Sequence, residues 1–262
     1  MPMPHRAAMT LTLTSPLIIG HRGAAAHAPE NTLASIREAA RQGAKMVEFD
    51  ATISGDTPPV TVLFHDDTLE RTTDGVGAVD RVPFETLRGL DAGDGERIPT
   101  LVEAITLVQA LGLLANVEIK VAPGRDAETA EAVMATLITH WPVDGPPPLI
   151  SSFSIEALEA AQAQRADWPR GYLIWDKPED WRAIADRLAV ATINVNAERE
   201  TAESLQALQG TGRPVLAYTV NDLERAKFLF DQGVAGLFTD TPQTLLPAAA
   251  SYPAARVTWR NQ

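Results

Sequence analysis

The sequence predicts a closed α/β barrel, (β/α)8, with eight parallel strands. Three observations carry that prediction. Eight short β-rich runs recur along the chain, each bounded by Gly, Pro, Asn or Asp. Ala/Leu-rich helical stretches separate them, an alternation that implies parallel strands joined by helical crossovers. No Gly-x-Gly-x-x-Gly follows the first run, so the main argument for an open, doubly wound sheet is missing. The 262 residues suit one such barrel, whose usual size is about 250 residues.

The first run covers residues 17–20, and a helix over 32–42 follows, stopped by Gly43. The second run covers 46–50. Residues 60–64, Val-Thr-Val-Leu-Phe, are β-branched and have no helix before them, while 54–59, Ser-Gly-Asp-Thr-Pro-Pro, is turn material. The reading is a hairpin of 46–54 and 60–65 that protrudes from the second strand and returns His65 to the height of Glu48 and Asp50. Residues 68–94 read as a loop-rich segment shielding one rim. Strand runs then fall at 115–120, 149–153, 171–175, 192–196, 214–220 and 236–240. Helical patterns cover 101–111, 126–140, 155–165, 179–189, 202–209 and 222–232, the last stopped by Gly233. One barrel domain over 16–250 is expected, with 1–15 a flexible leader and 251–262 a C-terminal tail. The leader does not read as a signal peptide, because threonines interrupt its apolar run and no Ala-x-Ala follows; Met9 is an alternative start.

Composition excludes several function classes. The formal net charge is −12. Such a field repels nucleic acid and anionic membranes, so a general nucleic-acid binder is excluded. An anionic substrate needs a local positive site here. The chain has no cysteine, which removes disulfides, thiolate nucleophiles and zinc–sulfur sites. No apolar run is long enough to insert in a membrane.

Chemistry concentrates on two strand runs. In Glu48-Phe49-Asp50 both acids leave one face of the strand and Phe49 leaves the other. Two inward carboxylates at a strand's carboxyl end repel each other unless a cation or proton neutralises them. An isolated Glu-x-Asp is ordinarily a solvated pair. Asn116-Val117-Glu118-Ile119-Lys120 repeats the pattern, with Glu118 and Lys120 sharing a face and Val117 and Ile119 packing outward. A structural ion pair would explain Glu118 and Lys120 alone. It loses ground because a second strand carries the same inward acid. Three carboxylates without cysteine or a histidine cluster suit a hard divalent cation, with Mg2+, Ca2+ and Mn2+ all open.

His21 leaves the first strand, and His65 ends the hairpin arm just before Asp66. Barrel enzymes place catalytic groups at such exits, and imidazole exchanges protons near neutral pH. Either one alone reads better as a satisfied loop histidine, as His5, His27 and His140 do. The planar fork of Arg22 matches phosphate oxygens. With Lys120 and a cation it would supply the missing positive site. Gly23 permits the tight turn after it. In Pro29-Glu30-Asn31-Thr32, capping of the first helix by Asn31 or Thr32 is a sufficient structural account.

These residues belong to ten short motifs spread over residues 17–242: His21-Arg22-Gly23, Pro29-Glu30-Asn31-Thr32, Val47-Glu48-Phe49-Asp50, His65-Asp66, Leu69-x-Arg71-Thr72-Thr73-x-Gly75, Ile98-Pro99-Thr100-Leu101, Glu118-Ile119-Lys120, Ser151-Ser152-Phe153, Thr219-Val220-Asn221 and Thr239-Asp240-x-Pro242. In this order they resemble the glycerophosphodiester phosphodiesterase family. The resemblance implies a distorted TIM-type barrel with one divalent cation, cleaving small glycerophosphodiesters to glycerol 3-phosphate and an alcohol such as choline or ethanolamine. It makes His21 and His65 the acid/base pair, with His21 the first base in one version. It makes Glu48, Asp50 and Glu118 the metal ligands, Arg22 the phosphate clamp and Lys120 a second positive contact. Glu30 and Asn31 become orienting groups. The nucleophile it implies is the substrate's own glycerol hydroxyl, through a cyclic phosphate that water opens.

Two departures bear on substrate preference and on the hairpin. Tyr218 stands where the family often has Trp, and offers an aromatic face and a hydroxyl. The hairpin turn is less regular than the usual Thr-Lys-Asp-Gly type. The segment between His65 and Glu118 is short for the inserted subdomain of many periplasmic members, which implies the compact, cytoplasmic bacterial kind, a monomer or homodimer. A lipid-cleaving relative is the alternative, and a greasy rim over 68–94 would favour it. That segment offers only Val76, Val79, Val82, Phe84 and Leu87 among acids and arginines. A non-catalytic phosphate-binding barrel would be expected to lack a histidine or a carboxylate of the set, and all are present.

Overall fold

A computed structural model describes residues 11–259. Its strands are β1 (Leu11–Ser15), β2 (Leu17–Gly20), β3 (Met46–Ile53), β4 (Thr61–Leu63), β5 (Leu114–Ile119), β6 (Leu149–Ser152), β7 (Arg170–Ile174), β8 (Thr192–Asn196), β9 (Val215–Tyr218), β10 (Gly236–Thr239) and β11 (Ala255–Trp259). Eight of them, β2, β3 and β5 to β10, run parallel in sequence order, and β10 pairs with β2 to close the ring. The helices are α1 (Leu33–Arg41), α2 (Phe84–Gly89), α3 (Leu101–Ala110), α4 (Asp126–His140), α5 (Ile155–Gln164), α6 (Trp181–Arg187), α7 (Ala202–Gln209), α8 (Leu223–Asp231) and α9 (Pro242–Ala250). The molecule is the closed parallel barrel that the alternation implied, and none of its described helices is long and apolar enough to cross a membrane.

Strand periodicity divides the chemistry. On β3 the outward residues Val47, Phe49 and Ala51 are fully buried in one apolar cluster with Ile36 and Ala39 of α1, Leu101 of α3 and Val133 of α4. Glu48 and Asp50 point the other way, into the barrel. The lower barrel is filled by Leu17, Ile19, Met46, Leu149, Leu216 and Phe238. Polar residues therefore gather at the carboxyl ends of the strands, above an apolar plug. β4 runs back antiparallel to β3, with Ala51 opposite Leu63 and Ile53 opposite Thr61, so the expected hairpin forms. A satellite core of Val62, Phe64, Leu69, Val79, Leu87 and Ile98 anchors the segment after it.

Several motif residues have local duties. Thr32 caps α1, its hydroxyl accepting from the Ser35 amide at 3.2 Å. Thr100 and Glu103 form a capping box on α3. Gly23 sits at φ +87°, and a Cβ there would lie 2.4 Å from the Ser35 backbone. Only glycine fits that close approach of the first loop to α1.

Four elements escaped the sequence reading. Helix α2 lies in the segment read as loop; at six residues it is too short to show a helical period. Helix α9 opens on Pro242 at its first turn and buries Leu245 and Ala249, an i,i+4 pair. Strands β1 and β11 pair antiparallel, joining residues assigned to the leader and the tail. The alternation Leu11-Thr12-Leu13-Thr14 has the strand period, but its partner lies at the other end of the chain. Residues 1–10, with His5 and Met9, and residues 260–262 lie outside the described residues.

Candidate active site

Ring closure brings every predicted site residue to one end of the barrel. His21 and Arg22 follow β2 directly, and the Arg22 amide donates to Glu48 Oε2 at 2.8 Å. Arg22 has φ +49°, in the left-handed region. Asp50 and Glu118 are register partners on β3 and β5. His65 is carried by the hairpin: the next amide back, that of Phe64, donates to the Asp50 carbonyl at 3.1 Å. His27 and His140 are exposed.

The centre is acidic and buried. One oxygen each from Glu48, Asp50 and Glu118 lies within 4.8 Å of the others, and all three residues are buried. Burial and the neighbouring charges of Asp50 and Glu118 push the Glu48 carboxyl well above the usual range. Burial and the Asp50 charge push Glu118 up to about 7. Burial acts the same way on Asp50, but Arg22 and Lys120 outweigh it and hold that carboxyl below its ordinary value. Asn31 locks Asp50 in place, its Nδ2 donating to Oδ2 at 2.8 Å and its Oδ1 accepting the Asp50 amide at 3.0 Å. Glu48 Oε1 is buried without a hydrogen-bond partner. Converging, desolvated carboxylate oxygens with an orphan among them fit a hard divalent cation.

That electrostatic state has a measurable sign. The raised Glu118 carboxyl favours the protonated form in the folded, cation-free protein, so its contribution to stability is present below about pH 4.5 and lost as pH rises through about 7. A cation must displace that proton. The rise in Tm on adding Mg2+ or Ca2+ is therefore expected to grow from pH 5 to pH 8. Thermal melts at matched ionic strength check this, and a cation effect independent of pH would contradict it.

Positive groups frame the triad. Arg22 Nη1 donates to Glu30 at 2.7 Å, and its Nε, 3.4 Å from Asp50 Oδ2, has no hydrogen-bond partner. Lys120 Nζ lies 3.2 Å from Glu118 Oε1 and 2.9 Å from His65 Nε2. Each histidine holds a carboxylate on Nδ1. His21 meets Asp240 at 2.7 Å, and His65 meets Asp66 at 2.5 Å. Asp240 is fixed in turn by Asn221 Nδ2 at 2.6 Å. Lysine has only donors to offer, so His65 Nε2 is an acceptor and its proton sits on Nδ1. Burial lowers the His65 pKa, which favours the neutral ring.

These side chains open onto a cavity of about 350 Å3, walled by Phe153, Trp175 and Tyr218. The Tyr218 hydroxyl donates to the Ile174 carbonyl at 2.8 Å, so its proton is committed to the backbone and the hydroxyl expected at the site is not free to donate. The sequence reading also left out Asp240, Asp66, Arg71 and Asn116 as site residues. The first three stand in the motifs quoted above, but their partners are set by loop geometry. Asn116 lies two positions before Glu118 on the same strand face, and that period could have found it.

Comparison with known proteins agrees with this geometry. The model of the glycerophosphoryl diester phosphodiesterase family matches residues 21–244. The chain belongs to this family. It is similar to a glycerophosphodiester phosphodiesterase of Caldanaerobacter subterraneus subsp. tengcongensis, with 30% identity covering 88% of this chain and 96% of that one. A solved phosphodiesterase structure from Oleispira antarctica, in complex with the product sn-glycerol-3-phosphate, superposes with a TM-score of 0.85. It is 39% identical and covers 90% of this chain and 97% of its own. A Thermotoga maritima glycerophosphodiester phosphodiesterase shares the fold at a TM-score of 0.72 and 24% identity, over 88% of this chain and 97% of that one. The barrel class, the family and the phosphodiesterase class read from the sequence all hold.

Proposed function

We propose that this phosphodiesterase hydrolyses small glycerophosphodiesters to glycerol 3-phosphate and a free alcohol, with His21 and His65 as the proton-exchanging pair. One observation carries the reading: two imidazoles, each held through Nδ1 by a carboxylate, face one cavity across a buried triad of acids. The product bound in the Oleispira antarctica structure supports the choice of substrate class.

Glu48, Asp50 and Glu118 would hold a divalent cation, Mg2+, Ca2+ or Mn2+, since all three donors are carboxylates. Such an ion, when bound, would polarise phosphoryl oxygens and offset the charge that builds on them. Arg22 and Lys120 bind the phosphodiester oxygens. Glu30 orients Arg22, Asn31 orients Asp50, and the Tyr218 ring packs against the substrate. As Lys120 turns from His65 Nε2 to the phosphodiester oxygens, the freed Nε2 lone pair takes the proton of the attacking glycerol hydroxyl. His21, held by Asp240, gives the proton it carries to the leaving alkoxide as the new ester bond closes a cyclic phosphate and the bond to the alcohol breaks. In the second step His21 takes a proton from the water that opens the ring, and His65 gives its proton to the glycerol oxygen released. This order reverses the version in which His21 is the first base, and it rests on the Lys120 donor at His65.

The lipid-cleaving alternative loses its main support. Of the apolar residues in 68–94, Val79 and Leu87 are buried in the satellite core, and Val76 is the strongly exposed one. The proposed setting is cytoplasmic, on the resemblance to compact bacterial members, with a monomer or homodimer as the unit.

The test is a coupled assay of glycerol 3-phosphate release from glycerophosphocholine, glycerophosphoethanolamine and glycerophosphoglycerol, with each divalent cation and with chelator. Cation-dependent release from at least one is expected. Release from none, with lysophospholipid cleaved instead, would replace this reading by the lipid-cleaving one.

A further inference from the structure

Arg71 lies outside the cavity, about half exposed, yet it touches both sides of the site. Its Nε and Nη2 donate to Asp66 at 2.5 and 2.9 Å. Its Nη1 and Nη2 donate to Glu30 at 2.8 Å each. Asp66 is the carboxylate that holds His65, and Glu30 is the one that holds Arg22. One guanidinium thus forks onto two carboxylates, each of which grips a working side chain. The two carboxylates come from different loops, Glu30 before α1 and Asp66 after β4.

We propose that Arg71 is a positioning residue that sets His65 and Arg22 relative to each other through Asp66 and Glu30. The inference rests on the phosphodiesterase reading above. A planar fork can satisfy both carboxylates in one geometry, whereas an ammonium is a point charge without that direction. Without the fork, Asp66 is free to rotate and the His65 ring loses its fixed Nδ1 partner. Glu30 then holds Arg22 without a fixed position of its own. Arg71 also removes one unit of negative charge beside a site that receives an anion. Position and charge therefore make separable contributions.

Arg71→Lys keeps the charge and loses both forks; Arg71→Ala loses both. Misplacement of catalytic groups by about 1 Å costs on the order of 10²-fold. In the full chain with saturating Mg2+ and glycerophosphocholine as probe, Arg71→Lys is expected to lower kcat about 10–100-fold, leaving KM close to wild type. Arg71→Ala should show a similar loss in kcat and also a raised KM. Added guanidinium should restore part of the kcat of Arg71→Ala, because the position is open to solvent. Wild-type kcat in Arg71→Lys, or a change in KM alone, would overturn the proposal; the second would mark Arg71 as a substrate contact.

A second readout does not depend on turnover. The hydrogen-bonded His65 Nδ1 proton should give a downfield NMR signal, assigned by its absence in His65→Ala. That signal should be lost or moved upfield in Arg71→Ala with Tm little changed. An unmoved signal overturns the positioning role. A moved signal in a protein that releases glycerol 3-phosphate from none of the three glycerophosphodiesters leaves the positioning role standing and sinks the substrate reading instead.

Discussion

Alanine at either His21 or His65 is expected to lower kcat about 10²–10⁴-fold, the scale of positioned acid–base catalysis. The geometry explains why neither can replace the other. Each ring is tied through Nδ1 to its own carboxylate, Asp240 or Asp66, and so presents Nε2 in one fixed direction. Proton uptake at one oxygen and proton delivery at another need two such groups on opposite sides of phosphorus. Both rings are partly solvent-exposed, so little core packing is lost with them. Tm should stay near that of the wild type, and kcat should carry the loss with KM much less affected. Steady-state kinetics of glycerol 3-phosphate release, with thermal melts on the same samples, make the check. Full activity in both variants would remove the histidines from the mechanism.

Glu48→Gln is expected to abolish most cation-dependent activity while leaving the fold intact. The substitution keeps volume and can keep an acceptor for the Arg22 amide, but it deletes one charge from the triad. If Glu48 is one of the ligands, as proposed, its loss should weaken cation binding by more than the about 10–100-fold that outer-shell changes typically cost. Stability should move in opposite directions with and without cation. In chelator, removing one of three mutually repelling carboxylates costs nothing and relieves repulsion, so Tm should hold or rise. With Mg2+ or Ca2+ at about 100 times Kd, the wild type gains about 2.7 kcal/mol from binding and the variant far less. Calorimetric titration and melts with and without cation measure both effects. A variant that loses Tm in chelator but keeps cation affinity would make Glu48 a structural acid.

Much of the site could be read from local spacing. Glu48 and Asp50 are two apart on a strand, as are Glu118 and Lys120, so the strand period alone put each pair on one face, and the barrel decided that this face is the inner one. The hairpin was legible because β-branched residues 60–64 follow turn residues without a helix between. What spacing could not supply was the second partner of each group. The Tyr218 hydroxyl donates to the Ile174 carbonyl on β7, two barrel strands away from β9, a partner that no local spacing names. Arg71 read as a member of a loop motif, and its two carboxylates meet only because the Glu30 loop and the Asp66 loop lie side by side.

The order of strands and helices, the faces they present and the chemical character of the site are properties of near neighbours along the chain. Patterns of two and of 3.6 residues therefore expose them in the amino-acid order. The contacts that tune the chemistry are of another kind. His21 and Asp240 stand 219 positions apart and meet because the last barrel strand pairs with the first. The raised carboxyls of Glu48 and Glu118 and the lowered one of Asp50 depend on burial and on which cation stands nearest. Desolvation and Coulomb energy follow distance through space, which ring closure sets and no local pattern encodes.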